Sequence, residues 1–282
     1  MFRGATVRDA LQGAETAIAA SGSGTPRLDA ELLLAHVLEI DRTALFLDAN
    51  LTVEGEAVRA YQELVRRRSV GREPVAYLVG RRGFRHLELV VDERVLIPRP
   101  ETEHVVEAVI EEAPRGARVI DVGTGSGAIA LALKHERPDL QVTGTDISVD
   151  ALAVARANAA RLGIDVMFDR ADGVPNPRPP SMGSDPLMWD VVVSNPPYVP
   201  DEDPRVAAGV HAHEPHVALY AGPDGLDVIR RIVAGMPAPL LVLEVGDGQA
   251  QGVARLAKEA GYARVTARGD LAGVERVVIA WA

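Results

Sequence analysis

Between residues 119 and 146 the chain carries a pattern that few folds accommodate. Val119-Ile120-Asp121-Val122 reads as a buried strand, Gly123-Thr124-Gly125-Ser126-Gly127 as a tight turn, and Ser126–Glu136 as a helix. Glycine lets such a turn take left-handed backbone angles and lets a ligand approach the main chain. The following helix presents unpaired N–H groups and the positive end of its dipole. Asp146 lies 19 residues beyond Gly127, at the end of a second apolar strand, Gln141–Thr145. A carboxylate there can accept hydrogen bonds from two ribose hydroxyls. The segment therefore suits an adenosine-containing cofactor. The residues leave its kind open. Gly123, Gly125 and Ala128 meet the nicotinamide pattern G-x-G-x-x-G/A, whereas Asp121, Gly123, Gly125 and Gly127 meet the methyltransferase pattern [D/E]-x-G-x-G-x-G. Asp121 suits an amine-bearing cofactor better than a pyrophosphate.

The surrounding pattern sets the fold class. From residue 101 onward helices and strands alternate: helix Glu101–Glu112, strand Arg118–Val122, helix Val149–Leu162, strands Asp165–Phe168 and Asp190–Ser194, helix Leu226–Ala234, strand Leu240–Val245 and helix Gln249–Ala260. Repeated βα units predict an α/β domain with a mostly parallel sheet covered on both faces. Two closing strands, Ala263–Ala267 and Glu275–Ala280, are joined by a short turn at Asp270–Gly273 and should pair antiparallel. Residues 1–72 instead show helical spacing, with Leu28, Leu32, Ala35 and Leu38 on one stripe after a Pro26 start. Residues 73–100 are rich in β-branched and aromatic residues over Tyr77–Phe84 and Leu87–Ile97, with a turn offered at Asp92–Glu93, and predict a linker that is a β-hairpin or short strands. The expected domains are thus 1–72, 73–100 and 101–282. Pro175–Pro186 reads as a surface loop.

Composition excludes several classes. There is no cysteine among the 282 residues, which removes disulfides, thiolate metal sites and a cysteine nucleophile. A net charge of −10 disfavours a general nucleic-acid binder. The longest apolar runs, such as Leu240–Leu243, are far short of the ~20 residues that span a bilayer. A cytoplasmic protein is expected. His211, His213 and His216 with Glu214 fit no common zinc spacing, so no metal is expected. Arg66-Arg67-Arg68 and Arg72 read as a solvated helix face.

The most informative segment is Asn195-Pro196-Pro197-Tyr198, after the buried strand ending at Ser194. Asn195 falls at the carboxyl edge of the sheet, where open α/β sheets bind ligands. The prolines fix the main chain and leave carbonyl acceptors without N–H donors. A planar amide or amine nitrogen is a weak nucleophile. The Asn195 side-chain oxygen and the Pro196 carbonyl can accept its two N–H bonds, aim it, and stabilise the charge it gains. Tyr198 can stack on the planar group. No strong base is needed, so Asp201 and Asp203 read as a solvated loop.

With these residues in place the chain resembles the HemK/PrmC family, whose members methylate a glutamine side-chain amide in peptide chain release factors. The turn alone is shared with adenine-N6 methyltransferases of DNA and RNA, which is the alternative reading. The wider likeness covers nearly the whole chain. It includes Arg27–Leu34, Glu73–Gly80, Leu96–Glu103, Glu214-Pro215, Gly222–Leu226, Glu244–Gly246 and Gln249. The resemblance implies a class I S-adenosylmethionine-dependent methyltransferase: a Rossmann-like, seven-stranded, mostly parallel sheet with a small all-α N-terminal domain that docks the release factor. It implies that Gly123, Thr124, Gly125, Ser126, Gly127 and Asp146 bind S-adenosylmethionine, leaving S-adenosylhomocysteine as product. It adds Asp172 and Gly173 at the adenine, and Phe84, Arg99 and Glu101 near the wall of the site. Asn195, Pro196, Pro197 and Tyr198 would hold the glutamine of a Gly-Gly-Gln loop. A monomer is expected, with no membrane partner and no stable nucleic-acid partner. The chain departs from the family pattern at Gly173, where a bulky residue is usual, so an adenine contact there falls to backbone or to Val174. It departs also at His213, where an aromatic residue is common.

Overall fold

The N-terminal segment forms helices because its apolar residues recur on single faces. The computed structural model describes residues 5–47, 51–173, 189–235, 238–270 and 272–282. Strand β1 (Ala5–Thr6) leads into helix α1 (Val7–Ala19), which Thr6 and Asp9 close with a capping box. Helix α2 (Pro26–Leu38) starts on proline and ends with Glu39 in a left-handed conformation. A single turn α3 (Ala44–Leu47) and strand β2 (Thr52–Val53), paired antiparallel with β1, precede helix α4 (Glu56–Ser69). Val7, Leu11, Ile18, Leu33, Leu34 and Tyr61 fill the core between these helices. The arginine run of α4 is engaged within the fold: Arg66 pairs with Glu63, Arg67 with Glu73, and Arg68 with buried Asp29 at 2.8 Å.

The linker contains less strand than its composition predicts. Tyr77 lies in a short helix, α5 (Val75–Val79), that begins after Pro74 and ends at Gly80 with φ +72°. Proline pre-sets the first helical angle and glycine takes the left-handed exit. Only β3 (Arg81–Phe84) and β4 (Leu87–Val90) form the two-stranded sheet. After Val90 the chain turns at Asp92–Glu93, as expected, the Asp92 carbonyl accepting from Val95 N, and no strand continues to Ile97. Pro100–Thr102 forms one 3-10 turn before helix α6 (Glu103–Glu112).

Next come β5 (Arg118–Val122), α7 (Ala128–Glu136), β6 (Gln141–Asp146), α8 (Val149–Leu162), β7 (Met167–Arg170) and β8 (Val191–Ser194). The expected loop at Pro175–Pro186, and Val174 before it, lie outside the described residues. Helix α9 (Ala208–His213) is followed by α10 (Asp227–Gly235), β9 (Leu240–Glu244), α11 (Ala250–Glu259), β10 (Arg264–Gly269) and β11 (Glu275–Trp281). The seven-stranded sheet has the order β10-β11-β9-β8-β5-β6-β7. The pairs β7–β6, β6–β5, β5–β8 and β8–β9 are parallel; β11 runs antiparallel to β9 and β10.

Alternate residues of each strand face opposite cores. Val119, Val191, Val193, Val242 and Ile279 pack toward α6, α7, α8 and the β3–β4 hairpin. Ile120, Val122, Val192, Leu243 and Val278 pack toward α10 and α11. Buried Asn158 of α8 joins three segments. Its Oδ1 accepts from Val90 N at 2.7 Å, and its Nδ2 donates to the carbonyls of Val90 and Ser126, each at 3.0 Å.

Chain contacts divide the protein into two units, Met1–Arg81 with Val206–His213, and Arg82–Arg205 with Glu214–Ala282. The α9 segment therefore belongs to the N-terminal helical unit. His213 Nε2 lies 2.7 Å from the Gly71 carbonyl, and a Cβ at Gly209 would sit 2.7 Å from the Arg72 carbonyl. No helix among the described residues is long and apolar enough to cross a membrane.

Candidate active site

Strand β5 is buried and delivers the chain to the glycine turn at the carboxyl edge of the sheet. Gly127 has φ +84° and caps α7; a Cβ there would press on Leu131 at 3.0 Å. Asp121 lies beneath this turn. It is fully buried, and its Oδ2 accepts from Thr124 Oγ1 at 2.6 Å and from Ala130 N at 3.2 Å. Burial pushes its carboxyl up to about 7. Asp121 thus holds the loop to the helix through Oδ2, while its Oδ1 is buried without a hydrogen-bond partner. Thr124 N donates to the Thr145 carbonyl at 2.8 Å, which locks the turn onto β6.

Asp146 ends β6 beside that turn. Its Oδ2 accepts from Gly125 N at 3.0 Å and its Oδ1 from Ser148 N at 2.9 Å. Burial raises its carboxyl, while the N–H groups of Ser148 and Gly125 hold it down. Each oxygen keeps a further lone pair for a hydroxyl donor.

Strand β8 ends at Ser194, whose Oγ donates to the Val122 carbonyl at 2.6 Å and fixes the spacing of β5 and β8. The Asn-Pro-Pro-Tyr turn follows. Asn195 Nδ2 donates to Thr102 Oγ1 at 3.0 Å, and Tyr198 Oη donates to Glu244 Oε1 at 3.1 Å. Gln249 secures the end of the turn, donating from Nε2 to the Tyr198 carbonyl at 2.9 Å while its Oε1 accepts from Gly246 N at 2.8 Å. The main chain of Gly225 passes so close that a Cβ would lie 2.3 Å from the Tyr198 carbonyl oxygen. Burial, and then the Glu244 charge, push the Tyr198 phenol well above its ordinary value.

These pieces border one cleft, partly open to solvent. Of the residues singled out in the sequence, Gly123, Gly125, Asp146, Asp172, Gly173, Asn195 and Pro197 line it. Thr124 and Ser126 are buried behind the turn, and Pro196 is buried in its own turn. Phe84 is 1% exposed in the core beneath the hairpin, away from the cleft lining. Arg99 donates to Glu214 Oε1 at 2.6 Å. That buried carboxylate also accepts from Ile97 N, which pins the Pro98-Arg99-Pro100 stretch. Glu101 stands in the 3-10 turn beside Thr102.

The remaining lining comes from residues the motifs did not single out. Ile147, Ala151, Val228 and Ile232 add apolar surface, and Arg94–Leu96 close another side. Arg231 reaches Asp172 at 2.9 Å. Ile147 is 45% exposed, a large apolar side chain that nothing in the fold covers. Only exposure could have revealed it. Thr102 and Glu244 lay within recognised stretches, but their bonds to Asn195 and Tyr198 depend on the sheet. Among the described residues no group of histidines and carboxylates gathers as a metal site. His213 binds a backbone carbonyl, His216 stacks edge-on to Tyr220 and Glu214 is spent on Ile97 and Arg99.

A seven-stranded sheet with β11 alone reversed, and a glycine turn and an acidic strand end at its carboxyl edge, defines a class I S-adenosylmethionine-dependent methyltransferase. A methyltransferase from Pyrococcus furiosus shares this fold, with a TM-score of 0.50 at 17% identity over 69% of this chain and 88% of that one. Residues 9–80 match the PrmC N-terminal domain family and residues 101–212 the methyltransferase small domain family. The release factor glutamine methyltransferase of Xylella fastidiosa (strain Temecula1) is 41% identical, the alignment covering 93% of this chain and 95% of the relative. That of Deinococcus radiodurans is 40% identical over 96% and 97% of the two chains. This chain belongs to the family of release factor glutamine methyltransferases.

Proposed function

We propose that this protein methylates the side-chain amide nitrogen of the glutamine in the Gly-Gly-Gln loop of peptide chain release factors. The observation that carries the reading is the placement of Asn195, at the end of β8, in one cleft with Gly123, Gly125 and Asp146. Bound S-adenosylmethionine supplies an electrophilic methyl group on its sulfonium sulfur. Asp146 offers lone pairs to the ribose hydroxyls, and the exposed main chain of Gly123 and Gly125 meets the amino-acid end. Ile147, Ala151, Val228 and Ile232 form the apolar walls for the adenine, with Asp172 and Gly173 at its edge. Thr124, Ser126 and Gly127 act by shaping the loop.

The substrate half is built by the turn. Asn195 spends its amide nitrogen on Thr102, so its Oδ1 is the acceptor left for substrate. That oxygen and the Pro196 carbonyl accept the two N–H bonds of the glutamine amide and direct its nitrogen into the cleft. Both oxygens stabilise the positive charge that nitrogen gains, and its surplus proton then passes to water. Pro197 stiffens the turn and Tyr198 walls the amide plane. Arg99 and Glu101 act through the stretch that carries Thr102, and Phe84 supports the hairpin from within the core. The helical unit is the docking body for the release factor, the linker is residues 73–100, and the protein acts as a cytoplasmic monomer without a metal.

The test is mass spectrometry of a purified release factor incubated with this protein and S-adenosylmethionine. One added methyl on the Gly-Gly-Gln glutamine, absent when that glutamine is alanine, is the expected result. Asn195→Ala should abolish transfer and leave cofactor affinity nearly intact. No added methyl, with cofactor binding shown separately, overturns the substrate assignment.

A further inference from the structure

The sheet order gives the cleft a direction. Along β8-β5-β6-β7 four strand ends share one edge: Asn195 after β8, the glycine turn after β5, Asp146 at the end of β6, and Ala171-Asp172-Gly173 after β7. Neighbouring strands lie about 4.8 Å apart. A ligand whose reacting group meets Asn195 and whose ribose meets Asp146 therefore carries its base on toward the end of β7. Ala171 N donates to the Asp146 carbonyl at 3.1 Å, which sets Asp172 directly beyond Asp146. Gly173 puts no side chain there. Its φ is +84°, and none of the surrounding described residues comes within 4 Å of where a Cβ would stand.

Arg231 reaches this end of the cleft from another element. Helix α10 packs Ile229, Ile232 and Val233 into the core on one face of the sheet. Val228, Arg231 and Ile232 also line the cleft. Val228 and Arg231 are three residues apart and so share one side of the helix. Arg231 Nη1 donates to Asp172 Oδ1 at 2.9 Å, so the ion pair bridges from α10 to the end of β7. Each side chain is 59% exposed. An ion pair this exposed contributes little to stability, so the fold does not depend on it. Arg230 is the contrast. It pairs with Asp224 and Asp227 at the start of its own helix and is absent from the cleft lining.

We propose that Arg231 is a cofactor-binding residue that walls the adenine of S-adenosylmethionine with its guanidinium plane, and that the bond to Asp172 holds that plane in place. The proposal rests on the reading that Asp146 takes the ribose. A guanidinium is planar and weakly hydrated, and it stacks on aromatic faces. Adenine is a planar aromatic base. Val228 and Ile232, beside Arg231, give it apolar contact but no fixed plane. A guanidinium already tied to a carboxylate has less freedom to lose when the base arrives, so more of the contact appears as affinity. Lysine could keep the charge and the pairing, but it has no plane to offer.

The experiment is titration calorimetry on the full chain and its Arg231→Ala, Arg231→Lys and Arg230→Ala variants. The probes are S-adenosylhomocysteine, 5′-methylthioadenosine, which keeps the base and lacks the amino-acid end, and S-ribosylhomocysteine, which lacks the base. Arg231→Ala should weaken S-adenosylhomocysteine about five- to twentyfold, the range of a desolvated cation–π contact. Methylthioadenosine should lose the same factor, and S-ribosylhomocysteine should stay within about twofold. Arg231→Lys should recover only part of the loss. Arg230→Ala should bind all three ligands as the wild type does. The denaturant midpoint of Arg231→Ala should match the wild type, because the pair is exposed. A loss below about threefold for S-adenosylhomocysteine overturns the proposal. An equal loss for S-ribosylhomocysteine also overturns it, since that marks a distorted cleft and not a lost base contact. An Arg231→Lys protein as tight as the wild type overturns the stacking and leaves charge alone. The titration needs no release factor, so its outcome is separate from the assignment of the Gly-Gly-Gln glutamine. A wild type that binds S-ribosylhomocysteine as tightly as S-adenosylhomocysteine would show an uncontacted base and overturn the proposal as well.

Discussion

Asp146 holds two backbone N–H groups, one on each carboxylate oxygen, and so orders the glycine turn before any ligand arrives. Asparagine at this position keeps the shape but loses the charge and one acceptor. Asp146→Asn should weaken S-adenosylmethionine binding about ten- to a hundredfold, the range of a charge-assisted hydrogen bond, measurable by titration calorimetry. Gly225 is a second single-residue constraint. It sits at φ +74°, and a Cβ would overlap the Tyr198 carbonyl at 2.3 Å. Gly225→Ala should cost about 1–3 kcal/mol of stability and displace the catalytic turn, lowering kcat with little change in cofactor affinity. Chemical denaturation and steady-state kinetics check both. The Asn, the prolines and the tyrosine of the turn were legible in the sequence because their chemistry is carried by residue type. Thr102 and Glu244 were not, because each bonds a residue of the turn that lies far from it in the chain.

The β5–turn–α7 element is held from below by Asp121, and that makes its stability depend on pH. The folded state raises the Asp121 carboxyl to about 7 from an ordinary 3.8. Below about pH 4 both folded and unfolded chains are protonated there and the group opposes nothing. As pH rises toward 7 only the unfolded chain releases the proton, so stability falls; above 7 the loss is constant. Glu244 has the same sign and window. Asp121→Asn should remove part of the decline between about pH 4 and 7, read from denaturant midpoints at each pH. The strand and helix alternation of this element and its neighbours was visible as periodicity. The linker forms its hairpin but differs from expectation at its start for a local reason: Val75–Val79 has β-forming residues, but Pro74 and Gly80 bracket them into a helical turn.

At the scale of the whole molecule the two units keep separate cores, one among α1, α2 and α4, the other on the two faces of the sheet. Both tryptophans, Trp189 and Trp281, lie in the sheet unit. Their fluorescence follows that unit alone, while far-ultraviolet circular dichroism follows both. S-adenosylhomocysteine at a hundred times its Kd should stabilise the fluorescence transition by about 2.7 kcal/mol. The portion of the dichroism transition that belongs to the helical unit should not move. A uniform shift of both signals would show that the units unfold as one.

The residues by themselves determined the α/β class and the strand–glycine turn–helix with Asp146 beyond it, and they carry the proposed site at Asn195–Tyr198. Each of these is written in local pattern: a hydrophobic period, glycines where left-handed angles are needed, an amide and two prolines in sequence. What the tertiary structure decided is everything that depends on distance across the sheet. Residues 206–213 leave the sheet unit and pack at Gly71 and Arg72, which no local signal in a short helix announces. Asp121 becomes a staple beneath the loop, because β5 buries the side chain and Thr124 and Ala130 both donate to its Oδ2. Asn195 reaches Thr102, and Tyr198 reaches Glu244, only because β8 and β9 are neighbours and the turn before α6 comes up to the end of β8. Hydrophobic period is a property of consecutive residues, whereas the direction of a hydrogen bond is a property of whichever residues the fold brings face to face.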